Sequence, residues 1–502
     1  MTNWLPAVPA GAGPMYLRLA NRIADDIVSG ALPVGAKLPP QRDLAYDLGI
    51  TVGTVGRAYA LVRERGLVSG EVGRGTYILG SSGDIVRDSD GANETRTENG
   101  RESALMDAKF PNSRSARPAP QIEDVDFGGT RLISPPAETT RLDSTSAPEI
   151  GQSAIIAPLL QEISADCGYE IASYTRIVPD SWKEAGRHWL GRSNWTPDAD
   201  SIVPTFGAQA AIMAIISATT NPGDRIVFEE VTYSSIARGV TLAGRQPAGV
   251  ARDEEGPLPE ALQKVCAQKH PKVIFLMPTL HNPTLSTMSE QRRRDIVEVA
   301  RQNNLWIIED EVYGSLRQND LPTMASLAPE RTFHVGSLSK AVAAGVRGGW
   351  ISAPLSHTQR LITAHKMMTG GISFLLAELS ARLVLSGAAD ELRGRVLTEI
   401  SHRHALTRDY LEGLEVSSAS DAPFLWLKLP EPWLPGTFKA AAAAARVLID
   451  DEDEFKIGRC ERIYHRVRIG FTNPLTRKET TSAFAILKGL LDNGTSAYDS
   501  FE

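Results

Sequence analysis

From about residue 200 the chain alternates short apolar runs with amphipathic segments, and this pattern restricts its fold more than any other feature. Residues 201–203, 225–228, 273–277, 305–308, 333–335 and 349–352 read as buried strands, apolar on both faces. Helical stretches such as 208–218 and 289–302 lie between several of them. Strands that can leave neither face in water, joined by helices, predict a mainly parallel α/β sheet covered on both sides. Such a sheet takes its ligand at the carboxyl ends of the strands.

The polar residues at those ends share one chemistry. Between Ser337 and Trp350 the sequence places Lys340 beside two hydroxyls, Ser337 and Ser339, with Arg347 seven positions on. A lysine amine forms a Schiff base with an aldehyde, and burial lowers its pKa toward neutrality. Hydroxyls and a guanidinium suit a phosphate. Aldehyde plus phosphate describes pyridoxal 5′-phosphate (PLP). Gly207, Ala208 and Gln209 open an Ala/Ile-rich helix whose first amides can hold a phosphate. Tyr233 follows a strand and can stack on a flat ring. Asn282, fixed before Pro283, can donate to a phenolate oxygen, which Tyr313 can reach as well. An ionised Asp310 keeps a pyridine nitrogen protonated. Taken singly, each has a plain structural alternative: a turn, a helix cap, a loop tyrosine. Their order along the chain is what argues for a site.

That order and spacing resemble the fold-type I PLP enzymes of the aspartate aminotransferase superfamily, over about residues 150–490. The resemblance implies that Lys340 holds PLP as an aldimine and Asp310 pairs with the ring nitrogen. Asn282 and Tyr313 meet the phenolate oxygen, Tyr233 stacks, and Gly207, Ala208, Gln209, Ser337, Ser339 and Arg347 cup the phosphate. Arg468, in Arg466-Val-Arg-Ile-Gly470, matches the arginine that clamps a substrate α-carboxylate. Tyr174 matches the tyrosine that reaches a neighbouring subunit's phosphate. Two departures stand out. Ala344-Gly-Val-Arg347 lacks the usual proline, and Thr-Arg-Ile-Val-Pro replaces the usual turn after Tyr174. With no second carboxylate-binding arginine to place, a dicarboxylic donor is not supported.

The first eighty residues differ in kind. Residues 16–29 carry apolar positions at helical spacing and stop at Gly30. Residues 41–48 read as a second helix. Thr51 caps a third that runs to about Arg65, with Val55, Ala58, Tyr59 and Val62 facing inward. Residues 67–71 and 75–79 form a hairpin with a basic tip at Arg74. Three helices and such a wing make a winged helix-turn-helix, which sets its third helix in the major groove of DNA. Gly35-Ala-Lys-Leu-Pro-Pro-Gln-Arg-Asp-Leu-Ala45, Thr54-Val-Gly-Arg-Ala-Tyr59 and Gly73-Arg-Gly-Thr-Tyr77 resemble the GntR family of bacterial regulators. The resemblance implies DNA contacts from Arg42, Thr54, Arg57 and Arg74; Val52 stands where the family commonly has arginine.

Residues 16–79 carry eight Lys/Arg against six Asp/Glu, whereas the whole chain of 502 residues carries a net charge of −7. Basicity confined to one module excludes a chain that coats nucleic acid along its length. Residues 80–120 are rich in Ser, Gly, Asp, Asn and Pro and read as a linker, spanning roughly 35 Å r.m.s. as a flexible coil. The expected organisation is therefore a winged helix at 12–80, a linker at 81–120 and an aminotransferase-like domain at 121–495. Its large part covers about 200–355 and its small part about 385–495. Cys167, Cys266 and Cys460 are too far apart for a metal site and read as reduced thiols in a cytosol. No apolar run reaches the length of a membrane span, and no secretion signal is expected.

A GntR-like module joined to an aminotransferase-like domain resembles the MocR subfamily of bacterial regulators. That resemblance implies a cytoplasmic, domain-exchanged homodimer, at the nucleoid when bound to its double-stranded DNA operator, with PLP or its adduct with an amino compound as the signal. A working aminotransferase that carries a DNA module is the rival reading, because the aldimine and proton-shuttle residues are all present.

Overall fold

The computed structural model describes Trp4, Pro6 and residues 15–48, 50, 52–71, 75–79, 139–192, 194–317, 319–458 and 463–493. The expected linker lies outside them. The chain divides into two compact units, Met1–Pro118 and Ala119–Glu502.

In the first unit, helices α1 (Met15–Val28), α2 (Gln41–Asp47) and α3 (Val52–Glu64) precede an antiparallel hairpin of β1 (Val68–Glu71) and β2 (Gly75–Ile78). Leu19, Ile23 and Ile27 of α1 close on Val55, Ala58, Tyr59 and Val62 of α3, and Leu44 of α2 joins them in one core. Gly30 and Gly66 end the two longer helices with φ of 77° and 70°, where a side chain is disfavoured. The buried Tyr59 hydroxyl donates to the Pro39 carbonyl at 2.9 Å. The 35–38 stretch pairs with the wing. Leu38 N–H donates to Thr76 O at 2.8 Å and Ile78 N–H to Ala36 O at 3.0 Å, so the hairpin gains a third partner.

The second unit is built on seven strands: β3 (Ile202–Thr205), β4 (Arg225–Glu229), β5 (Gln246–Val250), β6 (Val273–Leu276), β7 (Trp306–Asp310), β8 (Thr332–Ser337) and β9 (Gly349–Ser352). Their order is β3-β9-β8-β7-β6-β4-β5, with β9 antiparallel to both of its neighbours and the other pairings parallel. Alternate residues explain the continuous apolar runs. Phe228, Phe275 and Ile308 pack beneath α4 (Gly207–Thr219). Val227, Ile274 and Ile307 face α6 (Pro259–Lys269) and α7 (Glu290–Gln302) on the opposite side; α5 (Ser234–Leu242) follows β4. Strand β5, Gln-Pro-Ala-Gly-Val, has no such apolar run. It occupies the edge, where a proline costs no central ladder bond.

Beyond the sheet, β10 (Val416–Ser417), β11 (Phe424–Lys428), β12 (Asp450–Asp451) and β13 (Arg466–Gly470) form an antiparallel sheet in the order β10-β11-β13-β12. The pair Thr140–Arg141 runs parallel to Val447–Leu448 and fastens the start of this unit to its C-terminal part. Among the described residues no helix is long and apolar enough to cross a membrane.

Candidate functional site

The loops after β6, β7 and β8 meet the start of α4 around a cavity of about 330 Å³, within the range of small-molecule sites. Its lining contains Gly207, Ala208, Gln209, Tyr233, Asn282, Asp310, Tyr313, Ser337, Ser339, Lys340, Arg347 and Arg468. These are the residues expected from sequence at the cofactor, with one exception. Tyr174 is 90% exposed and does not line the cavity, and Tyr169 and Ile177 near it are exposed too.

The lysine loop is tied at its base. The Ser337 hydroxyl donates to Gly348 O at 2.9 Å and accepts from Ser339 N–H at 3.2 Å, so the turn that carries Lys340 returns to its starting point at Arg347. A Cβ on Gly349 would lie 2.8 Å from Gly207 Cα, so only glycine lets β9 pass the head of α4. Arg347 adopts φ of 57°, a left-handed conformation uncommon for any residue that carries a Cβ. Its exposed guanidinium, the two serines and the first amides of α4 form one cup of donors.

Lys340 Nζ donates to Thr145 Oγ1 at 3.0 Å, and Thr145 Oγ1 shares a 2.5 Å hydrogen bond with Tyr313 Oη. Burial lowers the Lys340 pKa to about 8, with Arg468 pushing the same way against Tyr233 and Asp310. Burial raises Asp310 to about 7, opposed by the Val312 N–H that donates to it at 3.0 Å. Its neighbours point elsewhere and are satisfied there. Glu309 accepts from Met324 N–H, Ala325 N–H and His334 Nδ1 at 2.7, 3.0 and 2.7 Å. Burial pushes Glu309 upward, but His334 and Arg293 outweigh it and hold the carboxyl below its usual range. Glu311 accepts from Thr279 Oγ1 at 2.8 Å, and burial raises its pKa. Asp310 alone of the three faces the cavity.

Asn282 Oδ1 accepts from one terminal nitrogen of Arg468 at 3.0 Å, which leaves its amide hydrogens for the cavity. The other terminal nitrogen donates to Asp143 O at 3.0 Å and to Asp450 Oδ2. Asp143, Thr145 and Asp450 were not expected at the site. Asp143 and Thr145 precede the apolar alternation, in a stretch without a motif; Asp450 sits in a run of acidic residues that reads as surface. Among the described residues no His/Cys/Asp/Glu group could hold a metal ion.

In the first unit Arg57 is exposed on α3 and Thr54 is half-buried. The Arg42 side chain and Arg74 lie outside the described residues.

Residues 151–483 match the family model for aminotransferase class I and II, and residues 15–78 match that for bacterial regulatory proteins of the gntR family. The HTH-type transcriptional regulator YdeF of Bacillus subtilis, itself uncharacterised, is 28% identical over 98% of both chains. The HTH-type transcriptional regulator TauR of Rhodobacter capsulatus is 26% identical over 69% of each. The crystal structure of an archaeal alanine:glyoxylate aminotransferase superposes with a TM-score of 0.64 at 20% identity, covering 71% of this chain and 92% of that one. At that identity the likeness concerns the fold.

Proposed function

The chain belongs to the aminotransferase class I and II family, and from that premise we propose that it is a PLP-dependent, DNA-binding transcriptional regulator of the MocR type, which senses an amino compound or PLP itself. The observation that carries the reading is the union, in one polypeptide, of a GntR module at 15–78 with a cavity that gathers Lys340, Asp310, Asn282, Tyr313 and Arg347. The likeness to YdeF along 98% of both chains supports it, because it covers both parts at once.

The cofactor is pyridoxal 5′-phosphate, and the donor set fits it: one half-buried amine whose pKa is lowered to about 8, one buried carboxyl with a single amide partner, and a cup of amides, hydroxyls and a guanidinium. When bound, PLP supplies an aldehyde that takes up amines and a ring that withdraws electrons. Lys340 would hold the aldehyde, and Asp310 would face the ring nitrogen. Asn282 and Tyr313 would serve the ring oxygen, and Tyr233 would cover the ring face. Gly207, Ala208, Gln209, Ser337, Ser339 and Arg347 would take the phosphate. A neutral Lys340 Nζ is the form that attacks a carbonyl, and Thr145 Oγ1 with Tyr313 Oη gives its proton a path away.

The chain works in the cytoplasm as a domain-exchanged homodimer, with Arg57, Arg42, Thr54 and Arg74 on operator DNA. The exposed stretch of Tyr169, Ile171, Tyr174 and Ile177 supports a second copy packed there. A ligand that prefers one arrangement of the large units changes DNA affinity by its difference in affinity between arrangements, and a tenfold change needs about 1.4 kcal/mol. The same Lys340–Thr145–Tyr313 relay favours slow transamination as a second reading.

The test uses full-length, PLP-loaded protein and a duplex that it selects from a random DNA pool. Amines that shift the visible absorption band should change affinity for that duplex, and Lys340→Ala should remove both the band and the response. A mutant that still responds to amines would sink the sensor. Steady conversion to the pyridoxamine form, reversed by a 2-oxo acid, would establish the transaminase.

A further inference from the structure

Arg468 enters the cavity from β13 with its faces covered by aromatic rings, Phe455 at 4.8 Å and Phe424 at 5.7 Å from the guanidinium carbon. The register of the small sheet sets Asp450 of β12 directly opposite it. Both groups are buried, with Arg468 at 7% and Asp450 at 8% exposure. A guanidinium grips a carboxylate with two parallel N–H groups along one edge. It has two such edges, the end formed by both terminal nitrogens and the side formed by Nε and one of them. The terminal nitrogen common to both edges is the one already bound to Asp450 Oδ2 and Asp143 O, which take both of its hydrogens. Nε has no partner, but it is left without a second free donor beside it.

Charge leads to the same place. Asp450 is the counter-charge of a buried guanidinium, and a second carboxylate beside it would meet like-charge repulsion where water cannot screen it. The nearby Arg141 already carries a carboxylate on its side edge, where its Nε and one terminal nitrogen bind Asp143 at 3.0 and 3.2 Å, and only its half-exposed end stays open. Arg468 also lines a second cavity of about 220 Å³, with Ser234, Ser235, Arg238, Asp450, Glu454 and Phe455 in its wall. A ligand that extended from Lys340 past Arg468 would meet Asp450 in that wall.

We infer that Asp450 is a built-in carboxylate that occupies Arg468, and that the site therefore takes amines bearing no carboxylate on the amine carbon in preference to α-amino acids. The inference rests on the reading of Lys340 as the cofactor lysine, and it makes Asp450 a determinant of ligand class.

Matched pairs test it: 2-phenylethylamine against phenylalanine, ethanolamine against serine, cadaverine against lysine, each titrated into full-length PLP-loaded protein. Binding is read from the visible absorption band and, independently, by calorimetry. The wild type should bind the amine of each pair at least about tenfold more tightly, which is about 1.4 kcal/mol. Asp450→Asn, which keeps an acceptor for Arg468 but removes the charge, should move the ratio toward the amino acid by at least the same factor. Wild-type protein that forms a normal band yet binds the amino acids equally well overturns the inference alone. So does an Asp450→Asn ratio equal to the wild type's. If that variant does not fold, the wild-type ratios decide by themselves. A band that never forms on loading overturns the Lys340 reading and takes this inference with it.

Discussion

The 15–78 unit buries hydrocarbon and leaves Arg57, Arg63 and Arg65 exposed, whereas the large unit gathers the half-buried Lys340 with the buried Asp310 and Arg468 around one cavity and backs Arg468 with the buried Asp450. In the small unit Tyr59 meets the Pro39 carbonyl, and the buried Asp26 is matched by Arg22 at 2.9 Å. A reader of DNA needs a stiff frame and exposed charge, because phosphate contacts are made at the surface and screened by salt. A site for a carbonyl cofactor needs charge in a dry place, where one proton or one counter-ion changes the energy most. The contrast shows where each unit is sensitive: one to ionic strength, the other to protonation and charge count.

The sharpest way to break the contrast is Lys340→Ala. Loading with PLP should then give no visible band, while affinity for the selected duplex persists without any response to amines. Filter binding and absorption spectra on one preparation settle it. Next in size is pH. Burial places Lys340 near 8, below its free value of 10.5, so the neutral amine grows as pH rises through that range. The rate at which apoprotein captures PLP should climb about tenfold per unit well below pH 8 and level off above it. A rate independent of pH between 6 and 8 would contradict a buried cationic lysine. Duplex affinity should not follow that curve.

Smaller effects are expected in the other unit. Arg57→Ala should weaken duplex binding by about tenfold and reduce the slope of log affinity against log salt by roughly one, with the visible band unchanged. A normal salt slope would remove Arg57 from the DNA face. Tyr59→Phe leaves the Pro39 carbonyl without its partner and should cost about 1 kcal/mol in denaturant unfolding. A larger loss would mean that the hydroxyl also fixes the 35–38 pairing with the wing.

Legibility followed the same division. The doubly apolar strands were plain in the sequence because both faces of β4, β6 and β7 are covered by helices. Strand β5 was hidden because an edge tolerates Pro247 and needs only partial cover. Most of the lysine site could be read because its residues sit next to strand ends, where chain position and chemistry coincide. Asp143 and Thr145 escaped because nothing local distinguishes them; a fold that returns the 140s to Val447–Leu448 is what brings them to Lys340. Asp450 escaped for a related reason. Its meaning lies in a cross-strand register, and register is set by tertiary packing. In the first unit the helices followed their spacing, but the 35–38 ladder to β2 depended on pairing between distant stretches.

The parallel pair of Thr140–Arg141 with Val447–Leu448 has a mechanical consequence. The chain that arrives from the DNA-reading side is clamped there and, within four residues, passes Asp143 and Thr145, the partners of Arg468 and Lys340. Whatever takes Lys340 away from Thr145 loosens a segment that is pinned, four residues earlier, to the C-terminal part of the same unit.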